Sequence, residues 1–325
     1  MDILLNLGLL IICFIVLIKG ADFMVDAASY IAAFLGVPSL IIGLTIVAFG
    51  TSCPEAGVSI VSSMAGNNSL SISNVVGSNV FNLLVVVGLS ALIGTIAAPK
   101  DLLKLDFPIC ILFSGLLVFS CWDLQFTRIE GIIYVTCIVA YCVFLIIRSK
   151  HGKNSDNNDD IPEPSKPRTG VGALLRVFVI IIAVAAIYLS SQGIVSSCTF
   201  FAKLFGISDT VIGLTIVALG TSLPELVTSL VAYKKGENSI ALGNIIGSNL
   251  FNILFVLGIA GTISPLALLR ENVTDALICL GITVVSFVFA LTGRKVNRAE
   301  GACMLLMYAG YMVFVFLREF NVIAI

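Results

Sequence analysis

The sequence predicts an all-α membrane protein: ten transmembrane helices arranged as two inverted five-helix repeats. Three observations carry that expectation. The 325-residue chain is 58% apolar and only 11% charged, too little polar surface to clothe a soluble globule of that length. Apolar runs long enough to cross about 30 Å of hydrocarbon as helices recur from end to end. A stretch of the first half also returns in the second half at a constant offset.

The apolar runs number about ten, over residues 3–33, 38–64, 70–93, 106–122, 129–147, 172–203, 209–233, 238–263, 274–292 and 299–319. The first begins at Ile3 with no basic n-region and no small-residue cleavage site, so it reads as a membrane helix rather than a removed signal peptide. Trp122, at the outer end of the fourth run, reads as an interface anchor. The nine cysteines lie mostly inside apolar runs with no CxxC spacing, and read as small buried hydrophobes. The net charge of −1 gives a nucleic acid or other polyanion nothing to bind.

One segment breaks the pattern. Residues 149–171 open SKHGKNSDNNDD, are rich in Asn, Asp and Pro, and hold the only histidine, His151. Such a composition makes a flexible linker. Its acidic run, Asp156, Asp159, Asp160 and Glu163, lacks the spacing of a calcium loop and reads as a solvated charge run. The expected organisation is therefore a first repeat over 1–148, a linker over 149–171 and a second repeat over 172–325.

The duplication is explicit in the sequence. Residues 43–60, GLTIVAFGTSCPEAGVSI, match residues 213–230, GLTIVALGTSLPELVTSL, at 12 of 18 positions, an offset of 170. At the same offset NVVGSNVFNLLVVVG (74–88) matches NIIGSNLFNILFVLG (244–258) at 9 of 15. Arg128, Glu130 and Gly131 fall in register with Arg298, Glu300 and Gly301. The duplicated motif regions thus span 43–93 and 213–263.

Five helices per copy force the second copy to enter the membrane from the opposite side. Loop charge agrees: with the linker cytoplasmic, thirteen Lys and Arg fall in the inside loops against four outside. That is the positive-inside pattern, with both termini outside. Inverted repeats are characteristic of transporters, whose substrate sites form at the midplane.

Each copy places one glutamate, Glu55 or Glu225, about 17 residues into an apolar run, too deep to snorkel. A carboxylate there must be paired, protonated or bound to a cation. No Lys or Arg lies near either in sequence, and Asp22 and Asp26 are closer claimants for Lys19. A cation from outside the chain is the simplest partner. Ala48, Thr51, Ser52 and Glu55 share one helical face, as do Ala218, Thr221, Ser222 and Glu225. Pro54 and Pro224 cannot donate to the carbonyls of Gly50 and Gly220, so each kink frees backbone carbonyls around Thr51 and Thr221.

Ser78 with Asn82, and Ser248 with Asn252, add hydroxyl and amide oxygens. Carboxylates with neutral oxygens suit a hard divalent ion such as calcium better than a soft metal. Blander roles compete at some of these positions. Gly43, Gly50, Gly77, Gly88 and their counterparts read as a close-packing seam, and the Ser and Asn residues also suit interhelical hydrogen bonding. Glu130 and Glu300 read as helix-start acids in a favourable dipole.

GTSCPE (50–55), GTSLPE (220–225), GSNVFN (77–82) and GSNLFN (247–252) resemble the alpha repeats of the calcium/cation antiporter superfamily. Within it the closest resemblance is to the compact microbial sodium/calcium exchangers, the YrbG-like inner-membrane antiporters. The resemblance covers nearly the whole chain. It implies a ten-helix carrier, not an enzyme, in a bacterial or archaeal plasma membrane, with no cofactor and inorganic cations as its only substrates. It also implies calcium ligation by Glu55 and Glu225 with the carbonyls of Thr51 and Thr221. Ala48, Ser52, Ser78, Asn82, Ala218, Ser222, Ser248 and Asn252 would then make the sodium or counter-ion sites, and the long first and sixth helices would slide as a gate. A monomer would suffice for transport.

Two departures from the family qualify this. The position of Asn252 is an aspartate in the best-known sodium/calcium exchangers, which leaves sodium or protons open as the counter-ion. The short linker leaves no room for the regulatory calcium-binding domains of animal exchangers. Besides sodium-coupled calcium antiport, the residues leave open a proton-coupled calcium or manganese antiporter and a passive cation channel. An intramembrane enzyme is disfavoured, since the histidine is in the linker and no Ser/Lys or paired-aspartate motif sits at a helix centre.

Overall fold

The computed structural model describes residues 2–66, 68–151, 169–206, 215, 216, 218–320 and 322. Most of the linker, including Asp156, Asp159, Asp160 and Glu163, lies outside them. So do residues 209–214 and 217 of the apolar run 209–233. His151 is the last residue of a helix that begins at Arg128.

The chain is predominantly helical. Among the described residues eight helices are long and apolar enough to cross a membrane, or nine if the broken pair Ser39–Thr51 and Cys53–Met64 is one span. Large apolar side chains such as Leu4, Phe119 and Leu306 stand exposed, as on helices whose outer solvent is lipid. Trp122 is exposed just past the helix Phe107–Cys121, in keeping with an interface anchor. Among the described residues no disulfide joins the cysteines; Cys13, Cys110, Cys121 and Cys279 are buried as expected, Cys53, Cys137, Cys142 and Cys198 are half-buried, and Cys303 is exposed.

The chain divides into two compact units, residues 1–54 with 142–247, and residues 55–141 with 248–325. In the first, the helices Asp2–Leu35 and Gly170–Leu204 pack along each other. Leu17, Ala21, Met24 and Ala28 bury against Ala183, Ile187 and Ile194. Gly43 is a close-approach position, since a Cβ there would lie 2.8 Å from the Ile240 carbonyl oxygen. At the helix end Lys235 Nζ reaches Asp22 Oδ1 at 2.7 Å and Asp26 Oδ1 at 2.6 Å. Those aspartates therefore pair with Lys235, 209 residues or more along the chain, and the local pairing expected with Lys19 is corrected.

The second unit is built on reciprocal contacts between the repeats. Strand β1 (Ile96–Ala97) pairs antiparallel with β4 (Lys295–Val296), Ile96 opposite Val296. Strand β2 (Gln125–Phe126) pairs with β3 (Leu266–Ala267), Phe126 opposite Leu266. Adding 170 to one pairing gives the other. Arg128 likewise donates to the Ile263 carbonyl and Arg298 to that of Ile93. Gly88 faces the carbonyl of Gly301, and Gly131 faces that of Gly258. Each of these contacts recurs with its partners exchanged.

The acids at the helix starts do more than face a dipole. Glu130 Oε2 accepts from the Thr127 backbone N–H at 2.7 Å, and Glu300 Oε2 from that of Asn297 at 2.8 Å. These are capping boxes that satisfy otherwise orphaned donors.

Local helix geometry departs from the sequence expectation at π-turns, among them Gly43–Val47, Asn82–Val86, Leu102–Asp106 and Asn252–Val256. A π-turn holds one extra residue in a helix. The turn Leu102–Asp106 has no counterpart in the helix Arg270–Leu291. It shifts the correspondence locally: Ser114 bonds the Cys110 carbonyl as Thr283 bonds that of Cys279, an offset of 169 rather than 170.

Candidate functional site

Glu225 lies in the first turn of the helix Leu223–Lys234, after Ser222 has left helical geometry at φ −91°, ψ 5°. Pro224 forces that break by withdrawing a backbone donor. The carboxylate is 0% exposed, and Ser52 Oγ donates to its Oε1 at 3.2 Å. Asn244 Nδ2 donates to Ser229 Oγ at 2.9 Å and approaches the Glu225 carbonyl at 3.5 Å. Asn244 Oδ1 accepts from Thr51 Oγ1 at 3.0 Å, and the Ala48 carbonyl lies 3.3 Å from the same hydroxyl. The Thr51 hydroxyl is thus engaged inside the protein. The Gly220 carbonyl released by Pro224 accepts from Ser191 Oγ at 2.5 Å. It is therefore not the open ligand that the kink alone implied. Ala21 occupies the equivalent position in the first repeat and has no hydroxyl to donate.

Glu55 lies in the first turn of Cys53–Met64, where Ser52 breaks the helix with φ −83°, ψ 4°. It too is 0% exposed. Ser78 Oγ donates to Glu55 Oε1 at 3.4 Å. Asn74 Nδ2 donates to Ser59 Oγ at 2.9 Å and to the Glu55 carbonyl at 3.2 Å, the arrangement Asn244 makes around Glu225. Asn82 and Asn252 each open a π-turn. Asn82 Nδ2 donates to Asn249 Oδ1, and Asn252 Nδ2 to Asn79 Oδ1, both at 3.1 Å.

Every expected site residue with a described side chain is buried: Ala48, Thr51, Ser52, Glu55, Ser78, Asn82, Thr221, Ser222, Glu225, Ser248 and Asn252 are at most 4% exposed. Ala218 opens the short helix Ala218–Thr221, its side chain outside the described set. The structure adds residues that the motifs contained but the sequence reading passed over. Asn74, Asn79, Asn244 and Asn249 organise the sites, and all sit inside the matched segments at the 170-residue offset. Two further buried carboxylates also emerge. Asp106 accepts from Tyr141 Oη at 3.0 Å. Asp275 takes a bidentate pair from Arg318 at 2.7 and 2.9 Å. The repeated pairs Tyr141/Tyr311 and Arg148/Arg318 were their signal, masked by the π-turn that moves Asp106 out of register. Among the described residues no group of three or more His, Cys, Asp and Glu side chains comes together as a metal centre.

Apolar spans, duplicated motifs and a buried glutamate set among hydroxyl and amide groups in each repeat define a duplicated, multi-pass helical membrane protein. The model of the sodium/calcium exchanger protein family matches residues 5–150 and 175–317, and the chain belongs to that family. It is 37% identical over 311 residues to the putative antiporter CaxA of Alkalimonas amylolytica, covering 93% of this chain and 96% of that one. It is 35% identical over 297 residues to the inner membrane protein YrbG of Escherichia coli strain K12, covering 89% and 88%. A solved structure of the sodium-calcium exchanger NCX_Mj superposes with a TM-score of 0.83 at 27% identity, covering 96% of this chain and 99% of that one.

Proposed function

We propose that this chain is a secondary active antiporter that exchanges calcium for sodium by alternating access and exports calcium from the cytoplasm. The observation that carries the reading is the pair of equivalent glutamates, each fully buried and each receiving a serine hydroxyl on Oε1. A carboxylate buried in an apolar span is costly, and a hard cation is a partner that two carboxylates among hydroxyl and amide oxygens suit.

In this reading Glu55 and Glu225 supply the two negative charges that offset one calcium ion, and the carbonyls of Thr51 and Thr221 complete its oxygen shell. Ala48, Ser52, Ser78, Asn82, Ala218, Ser222, Ser248 and Asn252 line the counter-ion positions. Calcium and sodium compete for the same carboxylates, and the loaded site crosses only when its charge is compensated. One chain suffices. The transporter needs no cofactor and catalyses no bond chemistry.

Ten spans in two inverted repeats fit the strand pairing. β1 precedes the fourth span of its repeat, and β4 precedes the fifth span of the other. Within one repeat those positions are separated by a single membrane crossing, so pairing them favours opposite orientations. A proton-coupled calcium or manganese antiporter is the second reading, favoured by the neutral amide of Asn252 where a third carboxylate would stand.

Reconstituted vesicles decide between them. Calcium uptake should follow an imposed sodium gradient and ignore a proton gradient. Uptake driven by the proton gradient selects the second reading. Uptake indifferent to both, or purely downhill, overturns antiport.

A further inference from the structure

We infer that Asn79 and Asn249 are positioning residues: a reciprocal amide clasp that makes Asn82 and Asn252 present their side-chain carbonyl oxygens, and not their NH2 groups, as cation ligands. The inference rests on the antiport reading above and says how that site obtains two of its neutral oxygens.

The orientation of a side-chain amide is usually an assignment rather than an observation. Here two backbone carbonyls fix it. Asn79 Nδ2 lies 3.2 Å from the Asn249 carbonyl oxygen, and Asn249 Nδ2 lies 3.4 Å from the Asn79 carbonyl oxygen. A backbone carbonyl only accepts, so both clasp residues must turn NH2 towards each other's backbone. That leaves each with Oδ1 facing outward. Asn79 Oδ1 accepts from Asn252 Nδ2, and Asn249 Oδ1 accepts from Asn82 Nδ2, both at 3.1 Å. Flipping Asn82 or Asn252 would set oxygen against oxygen. The four amides have one consistent arrangement, and it ends on Asn82 Oδ1 and Asn252 Oδ1.

Those two oxygens are buried and, among the described residues, accept no hydrogen bond. A buried polar atom left without a partner is destabilising. Two of them at equivalent positions, each at the start of a π-turn and each with its NH2 committed elsewhere, are oxygens held ready for something that is not part of the chain. A hard cation is the partner that an amide carbonyl suits. The clasp also explains why asparagine stands at 82 and 252. An ionised aspartate has no NH2 to give to Asn249 or Asn79 and would face their Oδ1 atoms as acceptor to acceptor.

The test is a pair of double-mutant cycles read on two scales: the calcium KM of exchange in vesicles, and the calcium-induced rise in melting temperature of the purified chain. Asn79→Ala should raise the calcium KM about 10-fold or more, the usual cost of removing a group that orients a metal ligand. It should also shrink the calcium-induced rise, measured against the variant's own calcium-free melting temperature, which the lost hydrogen bonds lower. Because Asn79 acts through Asn252, adding Asn79→Ala to Asn252→Ala should worsen KM no further. Combined with Asn82→Ala, whose clasp partner is Asn249, its effect should multiply.

A wild-type KM in Asn79→Ala, or fully multiplicative losses with Asn252→Ala, overturns the clasp and leaves the antiport reading standing. A wild-type chain that neither exchanges calcium nor is stabilised by it overturns both. Should Asn79→Ala fail to fold, Asn249→Ala with Asn82→Ala runs the same cycle on the other half.

Discussion

Glu55 and Glu225 are held at the level of single atoms. Each has a serine on Oε1 and an asparagine, Asn74 or Asn244, near its own backbone carbonyl. The main chain and one carboxylate oxygen are thereby tied down. Glu55→Gln or Glu225→Gln keeps the shape and hydrogen-bonding capacity and removes the charge. Either should cut calcium exchange more than about 100-fold while the protein still folds and inserts, because in the proposed site the lost group is a direct ligand rather than a supporting one. Initial calcium flux per inserted protein checks this, and wild-type flux in either variant would remove that glutamate from the site. The glutamates were legible in the sequence because a lone carboxylate in an apolar run has few explanations. Asn79 and Asn249 were not, although both lie in the quoted GSN motifs. Their role depends on which backbone carbonyl each amide faces, and spacing along a helix carries no such information.

At the level of elements, the kinks were legible and their consequences only in part. Pro54 and Pro224 mark the breaks, but the Gly220 carbonyl is capped by Ser191 from the helix Gly170–Leu204, a contact between segments distant in sequence. Ser191→Ala leaves that carbonyl buried without its donor and should destabilise the protein by about 1–3 kcal/mol. Thermal unfolding in detergent reads this out, and an unchanged midpoint would show that the carbonyl finds another donor. Helix boundaries were read to within a few residues. The π-turns were not, since one inserted residue leaves hydropathy unchanged and appears only as the slip from 170 to 169 in the repeat offset.

Lys235 ties the end of one helix to the middle of another. Burial lowers the pKa of its ammonium, but the hydrogen bonds and charges of Asp22 and Asp26 outweigh this and leave it raised. A raised lysine pKa contributes stability that is fully present below the unfolded value of about 10.4 and is lost as pH climbs through the folded value. Lys235→Met should therefore cost about 1 kcal/mol or less, given its partial exposure. That cost should hold steady from about pH 6 to about pH 9 and shrink above about pH 10.4.

For the whole molecule, the duplication was the most legible feature, because 12 of 18 matched residues at one offset survive any error in helix boundaries. Orientation is a finer matter, and two independent lines converge on it. Thirteen basic residues against four favour a cytoplasmic linker. The strand pairs join the loop before residue 102 to the loop before residue 298, and the loop before residue 128 to the loop before residue 270. These are the loops that the charge count assigns to common sides. If the reading holds, a protease site inserted between Asn157 and Asn158 should be cut in inside-out vesicles and protected in right-side-out ones. A tag at either terminus should show the reverse. Cleavage of the linker from outside would invert the topology. A tag at one terminus on the same side as the linker would mean an even number of crossings in one repeat, and with it the loss of the inverted arrangement on which one shared, alternately exposed ion site depends.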